Sequence, residues 1–388
     1  MILCLGFALP GSAREWKRHT IDNSSEGADG VRLHDVNGDG RQDIATAWEE
    51  GNLIRAYVHP GTGKAKHPWP AVTVGKVRAG EDAVFADLDG DGAVDVVSSC
   101  EGNTKSLFVH WAPDNAADFL NPGAWKTEAF PQCRNRTQWM YALPMQVDGK
   151  NGIDLIVAGK GNGSEIGWLS GPENPRDLPT WVYRPIHPMG WVMSLQREDM
   201  DGDGDLDVLY SDRRGPSRGV HWLEWTGRGW KHHTIGGTDS ENMFLATGDL
   251  DGDGRREIVV AIRQGPIHCY RHEGSQWVRH EIPLPKGFGS GKSVAVVDVD
   301  GNGKSDLIFS CESAESPLSG IGWLSATGNP FSEPWQSHDI GGPEGIKFDR
   351  LTLNDVDGDG DTDVLTCEER DQLGVLWYEN PFGARGKN

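Results

Sequence analysis

Apolar and polar residues alternate in short runs along nearly the whole chain, and the runs recur in a fixed order. Two of them flank each acidic, glycine-rich stretch. DAVFADLDG (82–90) and KSVAVVDVDG (292–301) lead into such stretches, and DVVSS (95–99) and EIVVAI (257–262) follow them. Period-two alternation and β-branched content predict a strand on either side, with the acidic stretch as a tight connection. A third strand comes next, often as G-x-x-W-L: IGWLSGP (166–172), GVHWLEW (219–225), IGWLSATG (321–328) and GVLWYENP (374–381). A fourth carries W-x-x-x-x-I or a close variant, at 16–21, 125–130, 181–186, 230–235, 277–282 and 335–340, and WPAVTV (69–74) fills the remaining place. Glycine and proline punctuate the runs, and no long helical period interrupts them.

The acidic stretch occurs seven times at a spacing of about fifty residues, and a period of that size marks a repeat architecture whose units bury their apolar faces only against neighbours. Seven four-stranded units predict an all-β fold, a seven-bladed β-propeller. The chain opens with a fourth-type strand at Trp16 and closes with a third-type strand near Tyr378. The N-terminal strand is therefore expected to complete the last blade and leave no open sheet edge. This gives one domain over residues 14–381 and a short tail at 382–388. Residues 1–13, MILCLGFALPGSA, are apolar and end in small side chains. They read as the remnant of a secretory signal cut near Ala13, which predicts a secreted or periplasmic protein. No other apolar run is long enough to span a membrane. With Cys4 inside the signal, Cys100, Cys133, Cys269, Cys311 and Cys367 remain, an odd and sparse set that cannot form a disulfide framework; Cys100 with Cys133 is the pair to test.

The acidic stretches are also a ligand set. Oxygens at positions 1, 3, 5 and 9 of a glycine-rich loop, with the carbonyl of position 7, can converge on one hard cation such as Ca²⁺. The first copy offers Asp35, Asn37, Asp39 and Asp43, and the second Asp87, Asp89, Asp91 and Asp95. The fourth offers Asp199, Asp201, Asp203 and Asp207, and the fifth Asp249, Asp251, Asp253 and Glu257. The sixth offers Asp298, Asp300, Asn302 and Asp306, and the seventh Asp355, Asp357, Asp359 and Asp363. The third departs from the pattern. It keeps Asp148 and Asp154 but has Gln146 at position 1 and Lys150 at position 5. There the Lys150 ammonium is expected to replace the ion, or the loop to be empty, so about six ions are predicted. Their role reads as structural, because a loop crowded with carboxylates repels itself until a cation ties it down.

The array resembles the FG-GAP/VCBS repeat family of calcium-binding propellers, the group that includes integrin α-subunit heads. The resemblance covers roughly residues 14–381 and implies the propeller fold and structural calcium. No copy has the EF-hand glutamate at position 12, and β-type residues flank every loop. The closing pattern, KFDRLTLNDVDGDGDTDVLTCEE followed by LGVLWYENP, is similar more loosely to propeller domains of fungal aldos-2-ulose dehydratases. That second likeness implies carbohydrate chemistry.

Charge fits this reading. The formal net charge is −21, and six divalent ions would bring it to about −9, an ordinary value for a soluble protein. Nothing basic in the balance or in any run suggests a nucleic-acid partner. A monomer is expected.

Chemistry is expected on the face opposite the acidic loops. Six residues past position 9 of each copy, at the end of the second strand, stand Glu49, Glu101, Lys160, Arg213, Arg263, Glu312 and Glu369. All are charged, with bases on blades three to five and acids on blades six, seven, one and two. They read either as solvated strand ends or as a polarised ring whose basic arc holds an anionic or polyhydroxylated ligand. The segments entering the first strands add Glu81, Asp82, Arg134, Arg136, Tyr141, His187, Glu241, Lys292, Lys347, Asp349 and Arg350. Trp139 and Trp191 fall in the same zone, either as packing or as platforms for a sugar ring. The first function that follows is recognition of a carbohydrate or other anionic ligand. The alternative is a lyase or dehydratase acting by β-elimination on a uronate or keto-sugar, with Tyr141 and His187 as acid and base and Arg213 and Lys160 steadying the enolate. No nucleophile elbow, P-loop or dinucleotide fingerprint is present.

Overall fold

The computed structural model of the chain describes residues 15–383. Residues 1–13, expected to be a signal remnant, with Cys4 among them, and the last residues of the tail lie outside them. The strands form seven four-stranded antiparallel sheets. Blade one runs through Ala28–His34, Asp43–Trp48, Leu53–Tyr57 and Ala71–Gly75, and five further blades repeat that order along the chain. Thr352–Asn354, Asp363–Glu368 and Gly374–Glu379 make the inner three strands of the seventh, and Lys17–Asp22 completes it from the opposite end of the chain. Among the described residues the only helices are five single 3₁₀ turns, and none is long or apolar enough to cross a membrane.

The closing strand is pinned to three blades. Lys17 to Thr20 pair with Glu379 to Leu376, and Asp22 pairs with Val375 after a bulge. Trp16 packs with Trp323 of blade six and Tyr378, while Ile21 packs with Trp48, Tyr57 and Trp69 of blade one. Tyr57 Oη donates to Asp22 Oδ2 at 2.8 Å, and Arg55 pairs with the same carboxylate.

The tryptophan that opens the fourth-type strands has a second use besides packing. Its indole N–H donates back to a carbonyl of the connection just before it: Trp69 to Ala65, Trp125 to Phe119, Trp181 to Pro175 and Trp335 to Pro330, all at 2.8–3.0 Å. In those four blades one residue thus buries a large apolar face and closes a long loop, whereas Trp230 packs in the same place without the bond. Trp139 uses the same device on Cys133 O at 2.8 Å and is fully buried. Cys100, Cys133, Cys269, Cys311 and Cys367 are all buried free thiols, so the Cys100–Cys133 bridge does not form.

Each first strand of blades one to six carries a register shift in its mouth-side half, for example between Gly80 and Asp82, Trp139 and Tyr141, and Gly291 and Ser293. A bulge re-aims the side chains that follow it. Here it turns Asp82, Tyr141 and their counterparts from the sheet face towards the central channel.

Candidate functional site

Two faces carry chemistry, and the strands keep them apart. The seven acidic loops join first to second strands at one end. The starts of the first strands and the ends of the second strands meet at the other.

In each acidic loop the position-9 carboxylate is a tie. Val36 N–H donates to Asp43 Oδ2 at 2.9 Å, and His59 N–H, beyond the end of the third strand, donates to Asp43 Oδ1 at 2.8 Å. Asp95, Asp154, Asp207 and Asp363 repeat both bonds. Glu257 and Asp306 make the first of them. All seven are buried, and burial lifts Asp95 and Asp363 to about 8 and Asp306 to about 7. Position 9 therefore holds loop to sheet whether or not a cation is bound. This explains why the third copy keeps Asp154 after losing positions 1 and 5.

The loop oxygens together fit a hard cation. Ligand atoms of Asp87, Asp89 and Asp95, of Asp199, Asp201 and Asp203, and of Asp249, Asp251 and Glu257 lie within 4.8 Å of one another in each set. All are carboxylate oxygens, the donor type such ions prefer. In the seventh loop Asp357 Oδ1 is buried and accepts no hydrogen bond. Basic side chains lie against four of the loops: Arg41 on Asp39, Arg176 on Asp89 and Asp91, Arg271 on Asp251, and Lys66 on Asp357. Loops four and six have no ion pair among the described residues. An open surface depression of about 780 Å³ beside loop two is lined by Asp89, Asp91 and Arg176 and belongs to that loop.

The third loop closes on itself through Gln146 rather than Lys150. The Gln146 carbonyl oxygen accepts from Asp148 N–H at 3.1 Å and Gly149 N–H at 2.8 Å. Its amide nitrogen donates to the carbonyls of Lys150 (3.0 Å) and Gly152. Gly152 holds position 7, the carbonyl that would face an ion in the other copies. The Lys150 ammonium is 71% exposed and pairs, among the described residues, with Asp148 at 3.2 Å. An ammonium left in solvent keeps its hydration, and the uncharged amide fills the centre at lower desolvation cost.

At the opposite end a cavity of about 240 Å³ opens at the channel mouth. Glu49, Glu101, Lys160, Arg213 and Glu312 of the second-strand ring line it, together with Asp29, Glu81, Tyr141, Trp191, Lys292, Lys347 and Asp349. Arg263 and Glu369 stand behind that wall. The bases do not form a free arc. Lys160 pairs with Glu81 at 3.0 Å and with Glu101. Arg213 pairs with Glu241 at 3.1 Å, Arg263 with Glu312 at 2.7 Å, Lys292 with Asp349 at 3.3 Å, and Lys347 with Glu369. In every pair but Lys347–Glu369, which lies within blade seven, acid and base come from neighbouring blades, because the low-dielectric mouth makes an unpaired charge costly.

The acids outnumber the bases, and burial decides which keep protons. Burial, then Asp349 and Glu369, raises Asp29 well above the carboxylate range. Burial and Glu101 do the same for Glu81 and lift Glu49 to about 7. Burial, then Asp349 and Asp29, holds the Tyr141 phenol protonated.

Of the proposed catalytic set the structure brings Tyr141, Lys160 and Arg213 to one cavity and leaves His187 out. His187 belongs to the outer strand Val182–Pro188, pairs with Ile166, and stacks on His232 of blade four at 3.9 Å. Trp139 is core. Trp191 lines the mouth, but Lys160, Arg213 and Arg214 lie 4.7, 4.6 and 5.2 Å from its ring centre, so its faces are taken by cations rather than open to a sugar. Asp29, absent from the sequence-derived set, is shared by two carboxylate groups, one with Glu49 and Glu81 and one with Asp349 and Glu369. Its place at the start of a first strand was the available signal. Arg134 and Arg136 do not line the cavity; Arg136 pairs with Glu165 on the outer part of blade three.

The comparisons with known proteins agree with this architecture. A family model described as FG-GAP-like repeat matches residues 35–98, 199–260 and 249–309. No curated protein matches in sequence. Among solved structures, the chain is similar to BBS1N as crystallised in complex with ARL6DN and soaked with mercury, at a TM-score of 0.54 and 13% identity over 96% of this chain and 98% of that one. The lead-soaked crystal of the same complex gives the same score and identity over 97% and 99%. At that identity the likeness concerns the fold alone. The chain is thus a seven-bladed propeller that carries FG-GAP-like repeats at loops one, two, four, five and six.

Proposed function

We propose that this chain is an exported, calcium-stabilised recognition propeller whose channel mouth binds a small carbohydrate or other anionic ligand. The mouth cavity carries the reading. Ten of its fourteen lining residues are charged, which suits a ligand rich in hydroxyl and carboxylate groups and excludes an apolar one. A ligand carboxylate would exchange places with Glu241 or Glu81 at a base that is already desolvated, so little further hydration is lost. The loop oxygens support the calcium part, and millimolar calcium outside the cytosol suits exposed loops of this kind. Calorimetry with glucuronate, galacturonate and their neutral parent sugars tests the binding. Arg213→Ala should weaken the uronates by about tenfold or more and leave the chelator-sensitive melting unchanged. If no sugar binds, or if the variant binds all of them as the parent does, the reading fails.

A second reading, β-elimination on a uronate or keto-sugar, is favoured by the convergence of Tyr141, Lys160 and Arg213. In that arrangement Glu49, held near pH 7, is suited to take the carbon-bound proton. The protonated Tyr141 is suited to donate to the leaving oxygen, and the two bases to steady the enolate. Incubation with the same uronates, followed by absorbance of the unsaturated product, decides it. Turnover that survives in both Glu49→Gln and Tyr141→Phe would exclude this assignment.

A further inference from the structure

Beside the mouth the first strands close on one another around the axis. Arg32 of blade one lies over the Tyr141 ring of blade three at 5.6 Å. Tyr141 meets the edge of Phe244 of blade five at 6.1 Å. Lys292 of blade six and Arg350, just before the first strand of blade seven, lie 5.9 and 6.0 Å from the Phe244 ring centre. Three cations thus converge on two aromatic rings.

Two of them are satisfied. Arg32 holds Asp82 through two parallel bonds of 2.8 Å, and Lys292 has Asp349 at 3.3 Å and Glu312 at 3.6 Å. The Arg350 side chain has neither hydrogen bond nor ion pair among the described residues, and its Nη1 is buried without an acceptor. Burial, with Arg32 nearby, lowers its pKa to about 10, so it remains charged at neutral pH. Asp82 and Asp349, the nearest acids, are already committed. Arg350 therefore has no acid of its own among the described residues. Arg350 as a whole is part-exposed, but a buried guanidinium nitrogen is normally paired, and its Nη1 offers an open donor to an acceptor.

We propose that the throat is a binding site for one small monovalent anion, held by the Arg350 guanidinium beside Phe244. Two sources share that chemistry: a free halide or formate ion, and the carboxylate of a ligand seated in the mouth. Tyr141 and Lys292 line the mouth cavity and also border the throat, so a carboxylate could reach from one to the other. The free-ion source stands without the mouth reading, and the ligand source rests on it.

Crystals of the full chain soaked in sodium bromide test the site directly, without a variant. An anomalous peak within hydrogen-bond reach of Arg350 is the expected result. In parallel, melting is followed at fixed ionic strength while gluconate is exchanged for bromide, formate or glucuronate. Bromide and formate should raise the midpoint of the parent chain and of Arg184→Gln, an exposed control over Trp168. Arg350→Gln should show an apparent affinity about tenfold weaker or worse. Stabilisation by glucuronate alone, lost in Arg350→Gln, would assign the anion to a mouth ligand. If bromide and glucuronate both leave Arg350 with ordered water only, the proposal is overturned. If Arg350→Gln does not fold, that crystallographic result decides alone.

Discussion

Deleting residues 1–23 should open the ring, and a peptide of residues 15–23 should close it again. The peptide would place Trp16 and Ile21, 7% and 1% exposed in the intact chain, into pockets on blades six and one. The substitution Ile21→Ala in the peptide removes most of a fully buried side chain. Burial of that size contributes about 2–3 kcal/mol, which corresponds to about 30- to 150-fold in dissociation constant. The backbone ladder is unchanged, so the difference isolates the side chain. The assay is fluorescence anisotropy of labelled peptide on the truncated chain, with size-exclusion chromatography to follow its state. The truncated chain alone should aggregate through the freed edge at Gly374–Glu379. Equal affinity of the parent and Ile21→Ala peptides would show that the strand is held by its backbone alone. A truncated chain that stays monodisperse with an unmoved melting curve would refute the closure argument altogether.

Chelator should lower the melting midpoint, since each site at about a hundredfold excess of ion over its dissociation constant contributes about 2.7 kcal/mol. Asp357→Ala should reproduce part of that loss, and an unmoved curve would remove the structural cations. Replacing Gln146 and Lys150 together by Asp should add one bound ion by metal analysis, whereas an unchanged count would mean that another feature of the third loop excludes it. His221, buried against the His232 ring at 4.9 Å, has its pKa lowered to about 4 by burial and then by His232. A depressed histidine contributes stability that is present above its unfolded pKa of about 6.5 and is lost as pH falls towards 4. His221→Gln should therefore melt higher relative to the parent at pH 5 than at pH 7.5; an equal difference at both would assign the His221 contribution to packing alone.

The fold was legible because each repeat states its own strands, turn and glycines within about fifty residues, and because a surplus strand type at one end matched a missing one at the other. The site was legible only in part, for two physical reasons. Charge pairing crosses blades: Lys160 meets Glu81 and Arg213 meets Glu241, and no spacing along the chain announces which acid neutralises which base. The strict alternation used to place the ring also ignores the first-strand bulges, which turn Tyr141 to the channel and leave Trp139, two residues earlier, in the core. His187 was misplaced because the outer strand of blade three runs to Pro188, beyond where the pattern ended it. Gln146 was readable in principle. An amide at position 1 offers both a donor and an acceptor, and a loop with such a residue can be stitched from inside.

The contact of Tyr141 with Phe244, flanked by Arg32, Lys292 and Arg350, spans the axis from blade one to blade seven. The propeller is thus a plugged ring rather than a tube. A ligand in the mouth and an ion in a loop thus sit on opposite sides of this layer of side chains. The two ends can accordingly be altered as separate surfaces on one frame, since none of the residues lining the mouth belongs to an acidic loop.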